Sequence, residues 1–558
     1  MDGTIDNGPH LDPETGTNLL TTEPSSNKPY GWPDSPISKG YLTRMTCPDD
    51  LGPHSTTPPL AVQRLSEDLF IDIVQRYVDP RLPIRDLIRL ILVCRQWRRT
   101  IEGTPSLWCH ITGNETLPYL RKGLQMSKQS HLDVYYHEMT SWIGAQVFLE
   151  EIGPHIAHWK SLVAVFTTAN FPLAELEIKS APVLERLHLV NKYWRRWGAP
   201  ITLFGGAPAP PTLKDVRITG LPITLRPLRM VEMRRFKLGA HPSATTTVIT
   251  RVLRDSPNLH WIELSNIKDQ NDLTLTEGTI RLPFLKHLRI FAIPQPMALQ
   301  ILSNVSAPSL HELRLRLSNT ENPRTTILPA LTPLIPAMRS IASGALTTDL
   351  NFNGPLYGIR IGELGLCFRS NVTNSDAGEL AKDLFDWLVS QLGGHLMDIP
   401  ATLSLENCPA SPLYADWLGT RVNVTKLRLW HEPLSIPRHP FNGVLPSLSK
   451  PNASSSTGWL LPHVEIFETN LTWDGGNWDL VDMIGARRSA ATCNSHWQLD
   501  EQTPTVSLKC FREIQLSYGG KEPNRDQHPG IEFMRAVQNA AGDANIYWSG
   551  VKLRNDRM

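Results

Sequence analysis

The sequence predicts an α/β chain in which a short N-terminal helical unit is followed by a long section of parallel strands alternating with helices. Three observations lead there. From residue 184 onward, hexads of the form apolar-x-x-apolar-x-apolar start about every 20 to 29 residues, a period typical of one supersecondary unit repeated along a chain. Between the hexads lie stretches whose apolar residues recur at three- and four-residue steps, and strands joined through helices at this spacing pair parallel. Ahead of both, residues 65–108 turn abruptly apolar and helical in pattern after an arm with no apolar period.

At 558 residues the chain is long for one packed core, and a repeat architecture accommodates that length. The formal net charge is +1, so no field of the whole molecule draws it to nucleic acid or membrane. Hydrophobic residues at 41% suffice for a sizeable core. The densest apolar stretch, Ile84 to Val93, is broken by Arg85, Asp86 and Arg89 and falls short of the roughly 20 residues of a membrane-spanning helix. The first residues, "MDGTIDNGPH", have neither a basic start nor an apolar segment and do not read as a secretory signal. Seven scattered cysteines without a CxxC pair fit reduced thiols in the cytoplasm or nucleus. The N-x-S/T sites at Asn371 and Asn423 are then expected to stay unglycosylated.

Residues 1–60 are dense in Pro, Ser, Thr, Gly and Asp and are expected to form a disordered arm, since they bury too little to offset chain entropy. Behind it Ser66 is placed to cap a helix whose Leu69, Ile73 and Tyr77 share one face, and Pro80 and Pro83 stop that helix. Asp86 is placed to cap a second run in which Leu87, Leu90, Ile91, Cys94, Trp97 and Ile101 recur at helical steps. Ile88, Leu92 and Val93 fill the other faces, so "LIRLILV" is apolar nearly all round. A unit of about 45 residues cannot cover two apolar faces by itself. One face is expected to pack inside the unit and the other against a partner. Arg95, Arg98 and Arg99 flank the Trp97 face as a solvated rim.

Three stretches in this unit, "LSEDLFIDIVQRYV", "DLIRLILVCRQW" and "TPSLW", fall in the order and nearly the spacing of the F-box, which the unit resembles. The departures are Ser66 where that family carries proline and a longer link, "DPRLPIR", between the first two helices. The resemblance implies a three-helix F-box over residues 61–110 that docks into a Skp-type adaptor and, through it, a cullin ubiquitin ligase. Carried over by position, it implies that Leu65, Leu69, Leu87, Leu90, Val93 and Cys94 are presented to the adaptor, with Trp97 at the centre of the helical unit.

The hexads are "LERLHL" from Leu184, "LKDVRI" from Leu213, "MRRFKL" from Met233, "LHWIEL" from Leu259, "LKHLRI" from Leu285 and "LHELRL" from Leu310. Looser versions follow at wider spacing: "LYGIRI" from Leu356, "VTKLRL" from Val424, "VEIFET" from Val464 and "FREIQL" from Phe511. Between them run helical stripes of Val248, Ile249, Val252 and Leu253, then Met297, Ile301, Leu302 and Val305, then Leu380, Leu384, Leu388 and Leu392. This section resembles the irregular leucine-rich-repeat domains that follow an F-box in fungal proteins, which implies an α/β solenoid of parallel strands. The family's asparagine three residues past the last leucine is replaced by Lys192, Leu221, Ile267, Ile293 and Ser318, so an apolar residue is expected to fill that place in several repeats. The expected layout is a helical linker over 111–160 and the repeat domain over 161–550, with insertions near 318–350 and 431–458.

No phosphate-binding loop, H-E-x-x-H helix, nucleophile elbow or dinucleotide fingerprint occurs. The glycines of "FGGAPAPP" at 204–211 lie among prolines that remove the donors a phosphate cradle needs. His137-Glu138 has no second histidine at helical spacing. No catalytic residue, cofactor or metal is therefore expected. Two functional classes stay open: a substrate-receptor subunit of a Skp–cullin–F-box ubiquitin ligase, and a repeat-type interaction scaffold whose N-terminal helices only cap the repeats.

The fifth position of each hexad lies between two inward positions and so points out of the strand face. Down the repeats it reads His188, Arg217, Lys237, Glu263, Arg289, Arg314, Arg360 and Arg428. In a near-neutral chain this is a concentrated basic row. Arg217, Lys237, Arg289, Arg314, Arg360 and Arg428 are the candidate contacts to a target with an acidic or phosphorylated segment. The plainer reading is that they keep an exposed sheet soluble.

Overall fold

The structure is a computed structural model that describes residues 66–167, 181–192, 201–224, 231–241, 244–267, 278–320, 323–353, 356–370, 374–406, 421, 423–430, 444–450, 459–471, 478–493, 508–518, 531–549 and 551–553. The arm expected over 1–60, Leu65, Asn371 and most of the insertion expected over 431–458 lie outside the described residues.

Three short helices open the chain: α1 (Glu67–Tyr77), α2 (Pro83–Leu90) and α3 (Arg95–Gly103). Ser66 caps α1 as expected, its Oγ accepting from the Leu69 amide at 3.3 Å. The second run differs from its expectation. Pro83, not Asp86, opens α2, where its missing N–H costs nothing. The helix ends at Leu90, and Cys94 starts α3 with its sulfur facing the Trp97 amide at 3.5 Å. The break resolves the all-round apolar run: Ile91 turns inward while Leu92 turns out to 69% exposure.

Twenty-two strands follow among the described residues, eighteen of them in one long sheet. They are β1 (His110–Thr112), β2 (Leu132–His137), β3 (Trp159–Phe166), β4 (Arg186–Asn191), β5 (Ile201–Thr202), β6 (Asp215–Thr219), β7 (Ile223–Thr224), β8 (Arg235–Gly239), β9 (Trp261–Ser265), β10 (Ile280–Arg281) and β11 (His287–Phe291). Then come β12 (Val305–Ser306), β13 (Glu312–Thr320), β14 (Thr348–Asn353), β15 (Leu356–Ile361), β16 (Leu364–Ser370), β17 (Ala401–Glu406), β18 (Val424–Trp430), β19 (Ile466–Leu471), β20 (Glu513–Tyr518), β21 (Asn545–Trp548) and β22 (Val551–Lys552). The first part of the sheet runs β1-β2-β3-β4-β6-β8-β9-β11-β13, every neighbour parallel and taken in chain order. β5 with β7 and β10 with β12 form two small parallel pairs of their own.

Residues 111–160 depart from the helical linker expected there. They supply β1 and β2 to the sheet, together with helices α4 (Leu117–Ser127) and α5 (Ala145–Ile152). "LDVYYH" and "WKSLVAVF" carry a strand's two-residue burial alternation, but the first opens only two residues before its next buried position, as Leu132, Val134 and Tyr136, and the second opens on Trp159 in place of leucine. A second departure lies after β13. The next strand in space is β16, then β15 and β14, with β15 antiparallel to both its neighbours. "LYGIRI" is thus the middle of a meander and not a parallel repeat. Gly362, at a φ of 56°, supplies the left-handed turn that folds β15 back onto β16. Beyond β14 the order β17-β18-β19-β20-β21 is again parallel, and a two-residue antiparallel β22 closes that edge.

The hexads bury what their pattern requires. Leu187 and Leu189, Val216 and Ile218, Phe236 and Leu238, Ile262 and Leu264, Leu288 and Ile290, and Leu313 and Leu315 are all buried, each such side chain contributing roughly 1.5–3 kcal/mol. Four strands then end on a left-handed residue: Gly220, Ala240, Asn266 and Ala292, with φ of 68°, 44°, 51° and 48°. Each donates its amide to a carbonyl of the neighbouring strand, Gly220 to Gly239 and Ala240 to Ser265 at 2.8 Å, Asn266 to Phe291 at 2.9 Å and Ala292 to Arg316 at 2.7 Å. This backbone ladder closes the turns without asparagine side chains. The following residue drops inward, and Leu221, Ile267 and Ile293 are buried there as expected. In the turn after Ala240 the residue is His241, also buried, whose Nε2 lies 2.9 Å from the Ile223 carbonyl oxygen.

Candidate functional site

The helical unit has an inner and an outer face set by its sequence. Phe70 and Val74 of α1, Ile84, Leu87 and Leu90 of α2 and Ile101 of α3 are buried. Trp97 is half-buried, its ring 5.0 Å from that of Phe70 and tilted to it. Trp108 is fully buried and donates its indole N–H to the Ile101 carbonyl at 2.8 Å. On the outside, Leu69, Ile73 and Tyr77 line the other face of α1 at 47%, 45% and 51% exposure, and Leu92 projects from the turn after α2.

The residues singled out by sequence therefore divide. Leu69 is displayed, while Val93, Cys94 and Trp97 are half-buried. Leu87 and Leu90, read as presented to a partner, are core residues at 1% and 8% exposure. The periodicity that marked them is that of the inner face, and the helix break at 91–94 hands the outward role to Leu92. Arg95, Arg98 and Arg99 are exposed, as a rim would be.

Contacts from the sheet hold this unit in place. The Glu115 carboxylate reaches back to the start of α2, Oε1 accepting from the Ile84 amide at 2.9 Å and the Arg85 amide at 3.1 Å. It supplies the cap that Leu82 cannot. Burial pushes the Glu115 carboxyl up, against the pull of those two amides. The Thr112 hydroxyl donates to the Arg81 carbonyl at 3.2 Å. Gly123 of α4 lets Ile84 approach so closely that an added Cβ would lie 2.4 Å from Ile84 Cδ1.

The second surface is the outward face of the sheet. From β4 to β13 the fifth hexad positions are neighbours in register: His188, Arg217, Lys237, Glu263, Arg289 and Arg314. Gly365 continues the row on β16 and Arg360 on β15. Arg428 does not belong to it. The row meets β18 near Lys426, and Arg428 lies two residues further along, opposite Ser404.

Carboxylates change the electrostatic reading of this row. The third hexad position faces the same way as the fifth, because side chains alternate along a strand, and it supplies Asp215 and Glu312. Arg217 makes a double hydrogen bond to Asp215 at 3.1 and 3.2 Å, and His188 Nε2 lies 3.1 Å from the same carboxylate. Lys237 pairs with Glu263 at 2.6 Å. Glu312 is shared by Arg289 at 2.9 Å, Arg314 at 2.6 Å and His287 at 2.8 Å, and Arg314 also reaches Glu363 at 2.9 Å. Arg428 is bound to Glu468, and Arg360 donates to the Gly362 carbonyl at 3.1 Å. The concentrated basic row is thus a compensated one, and reading the third position beside the fifth would have shown it. Burial raises the Asp215 and Glu312 carboxyls, but their partners, His188 and Arg217 for the first and Arg289 and His287 for the second, outweigh it and hold both below the usual range. Burial keeps the His188 imidazole below its ordinary value despite Asp215.

Among the described residues no group of three or more His, Cys, Asp and Glu could hold a metal ion, and no helix is long and apolar enough to cross a membrane. Residues 67–113 match the F-box-like family, so the chain carries an F-box-like domain that runs from α1 through β1. No curated protein matches the chain significantly.

Proposed function

We propose that the chain is the substrate-receptor subunit of a Skp–cullin–F-box ubiquitin ligase. In this reading the F-box-like domain docks to a Skp-type adaptor, and the sheet section, a leucine-rich-repeat-like solenoid, selects the target. The observation that carries it is the F-box-like match over 67–113 on a unit that leaves Leu69, Ile73, Tyr77 and Leu92 exposed. The chain then has no chemistry of its own and brings a target to a ubiquitin-transferring assembly through the cullin. Seven scattered cysteines without a CxxC pair suit a reducing cytoplasm or nucleus.

The test is adaptor capture by the full chain carrying Leu69→Asp and Leu92→Asp. Both side chains are at the surface, so the fold should persist, whereas two charges at an apolar interface each cost at least about 2 kcal/mol of affinity. Capture by the wild type and its loss in the variant is the expected result. Leu87→Asp, which buries a charge in the core, is the contrasting variant and should lose capture only by unfolding. The alternative, an interaction scaffold without a ligase role, draws support from the Glu115 cap and the Gly123–Ile84 contact, which tie the helices to the sheet as a terminal cap would. A folded wild-type chain that captures no adaptor decides for the scaffold.

A further inference from the structure

Two arginines on the sheet face are left over by the pairing described above. Arg186 on β4, Asp215 on β6, Arg235 on β8 and Trp261 on β9 are register neighbours at the third hexad position. Asp215 is occupied by Arg217 and His188. Arg186 and Arg235, on either side of it, are exposed, and among the described residues neither forms an ion pair or a side-chain hydrogen bond. Beside Arg235 the half-buried Trp261 ring lies within 5.9 Å of the Arg217 guanidinium and 5.8 Å of that of Arg289. A device that merely keeps a sheet soluble accounts for the arginines but not for an indole set among them. Tryptophan beside arginine is the composition of a binding hot spot.

The geometry points to a docking surface for an extended, acidic segment of another protein, with Arg186 and Arg235 each taking a carboxylate or phosphate and Trp261 taking an adjacent apolar side chain. Two strand spacings separate Arg186 from Arg235, about 10 Å at about 4.8 Å each, which a segment in the extended threefold polyproline II conformation, rising about 3.1 Å per residue, spans in about three residues with both acidic side chains on one face. The paired residues act as the frame. Asp215 and Glu312 fix Arg217 and Arg289 in place, and Glu263 fixes Lys237. Those same carboxylates disfavour a continuous polyanion such as RNA, because an unbroken row of phosphates would have to pass over them. A peptide with spaced charges avoids that repulsion. The proposal rests on the receptor reading only in naming the segment as the ligase's target.

The probe is a fluorescein-labelled peptide of the pattern Glu-Ala-Ala-Glu-Ala-Phe, with a second in which phosphoserine replaces both glutamates, titrated with the full chain by fluorescence anisotropy. Both should bind, a tighter phosphoserine peptide identifying phosphate as the preferred anion and equal affinity identifying carboxylate. Arg186→Glu with Arg235→Glu should weaken binding at least about tenfold, Trp261→Ala should weaken it several-fold, and raising salt from about 50 to about 300 mM should weaken it steeply. Arg186→Gln with Arg235→Gln, a milder change, should weaken it less while the melting temperature stays that of the wild type. Binding unaffected by these substitutions, no binding of either peptide, or tighter binding of a single-stranded RNA or of phosphatidylserine vesicles would overturn the proposal. Adaptor capture by the charge-reversed chain is measured in parallel and should be normal, so failure of the peptide arm and failure of the receptor reading are told apart.

Discussion

At the scale of single residues, the turns after the strands are where local conformation and sequence disagree most. Gly220, Ala240, Asn266 and Ala292 share one left-handed role, and only glycine adopts it without cost, L side chains there losing roughly 1–2 kcal/mol. Ala240→Gly and Ala292→Gly should each stabilise the chain by about 0.5–1 kcal/mol, the relief being offset by glycine's larger unfolded-state entropy. Gly220→Ala should do the reverse and cost more than about 2 kcal/mol, because its Cβ would sit 2.0 Å from the Asn191 carbonyl oxygen. Denaturant midpoints of the three variants check both signs. His241 gives a pH signature in the same row. Burial depresses its imidazole from 6.5 to about 4, so below pH 6.5 the unfolded chain binds a proton that the folded chain refuses. Stability should fall as pH drops from about 7 to about 5, by about 2 kcal/mol from this group. The same titration of His241→Gln should lack that component, and equal losses in both chains would exclude it.

At the scale of elements, periodicity carried much of the fold and little of the site. The hexads located strands because their fourth and sixth positions are buried with nothing to contradict the alternation, as Leu288 and Ile290 show. They missed β1, which is three residues long, β2, whose Leu132 stands too near its next buried position, and β3, which opens on Trp159, and they misread β15, because a six-residue pattern states which side chains turn inward and not which way the strand runs. In the helical unit the spacing of Leu87 and Leu90 was legible, but whether an apolar face meets the core or a partner depends on where the helix breaks. That break runs from the end of α2 at Leu90 to Cys94, the cap of α3. Leu92, the most exposed apolar residue of the unit, was hidden inside a run that looked apolar all round. The Glu115 cap was out of reach of any local pattern, since the carboxylate acts 31 residues away from the amide it accepts. Among the acidic partners of the basic row, Asp215 and Glu312 were readable in principle, lying two residues from positions that were read, and Glu263 is itself one of those positions.

At the scale of the molecule, the question is whether the F-box-like domain is a tethered module or part of the sheet's own fold. Buried side chains form one cluster that runs from Phe70 in α1 to Ile546 in β21. In a chain of stacked units each unit contacts only its neighbours, and the terminal unit has to cover an otherwise open end. In the helical unit it is α2 that packs on β1, which is three residues long and has β2 as its strand neighbour. Ile84 is the joint: it is fully buried, it lies against Gly123 of α4, and its amide is held by Glu115. Ile84→Ala should cost about 2–4 kcal/mol, the range for a truncated core side chain. Where that cost is felt distinguishes the two arrangements. If the helices cap the sheet, amide hydrogen exchange should accelerate not only in α1 to α3 but also in α4, β1 and β2, while β18 to β20 keep their protection, since stability is shared between adjacent units and fades with distance. If the domain is merely tethered, acceleration will stop at Gly103 and the strands will exchange as in the wild type. Under the receptor function proposed above, the first outcome carries a consequence: adaptor engagement on the outer face of α1 would stabilise the first strands of the sheet, and the proposed target surface would be held most firmly in the docked chain.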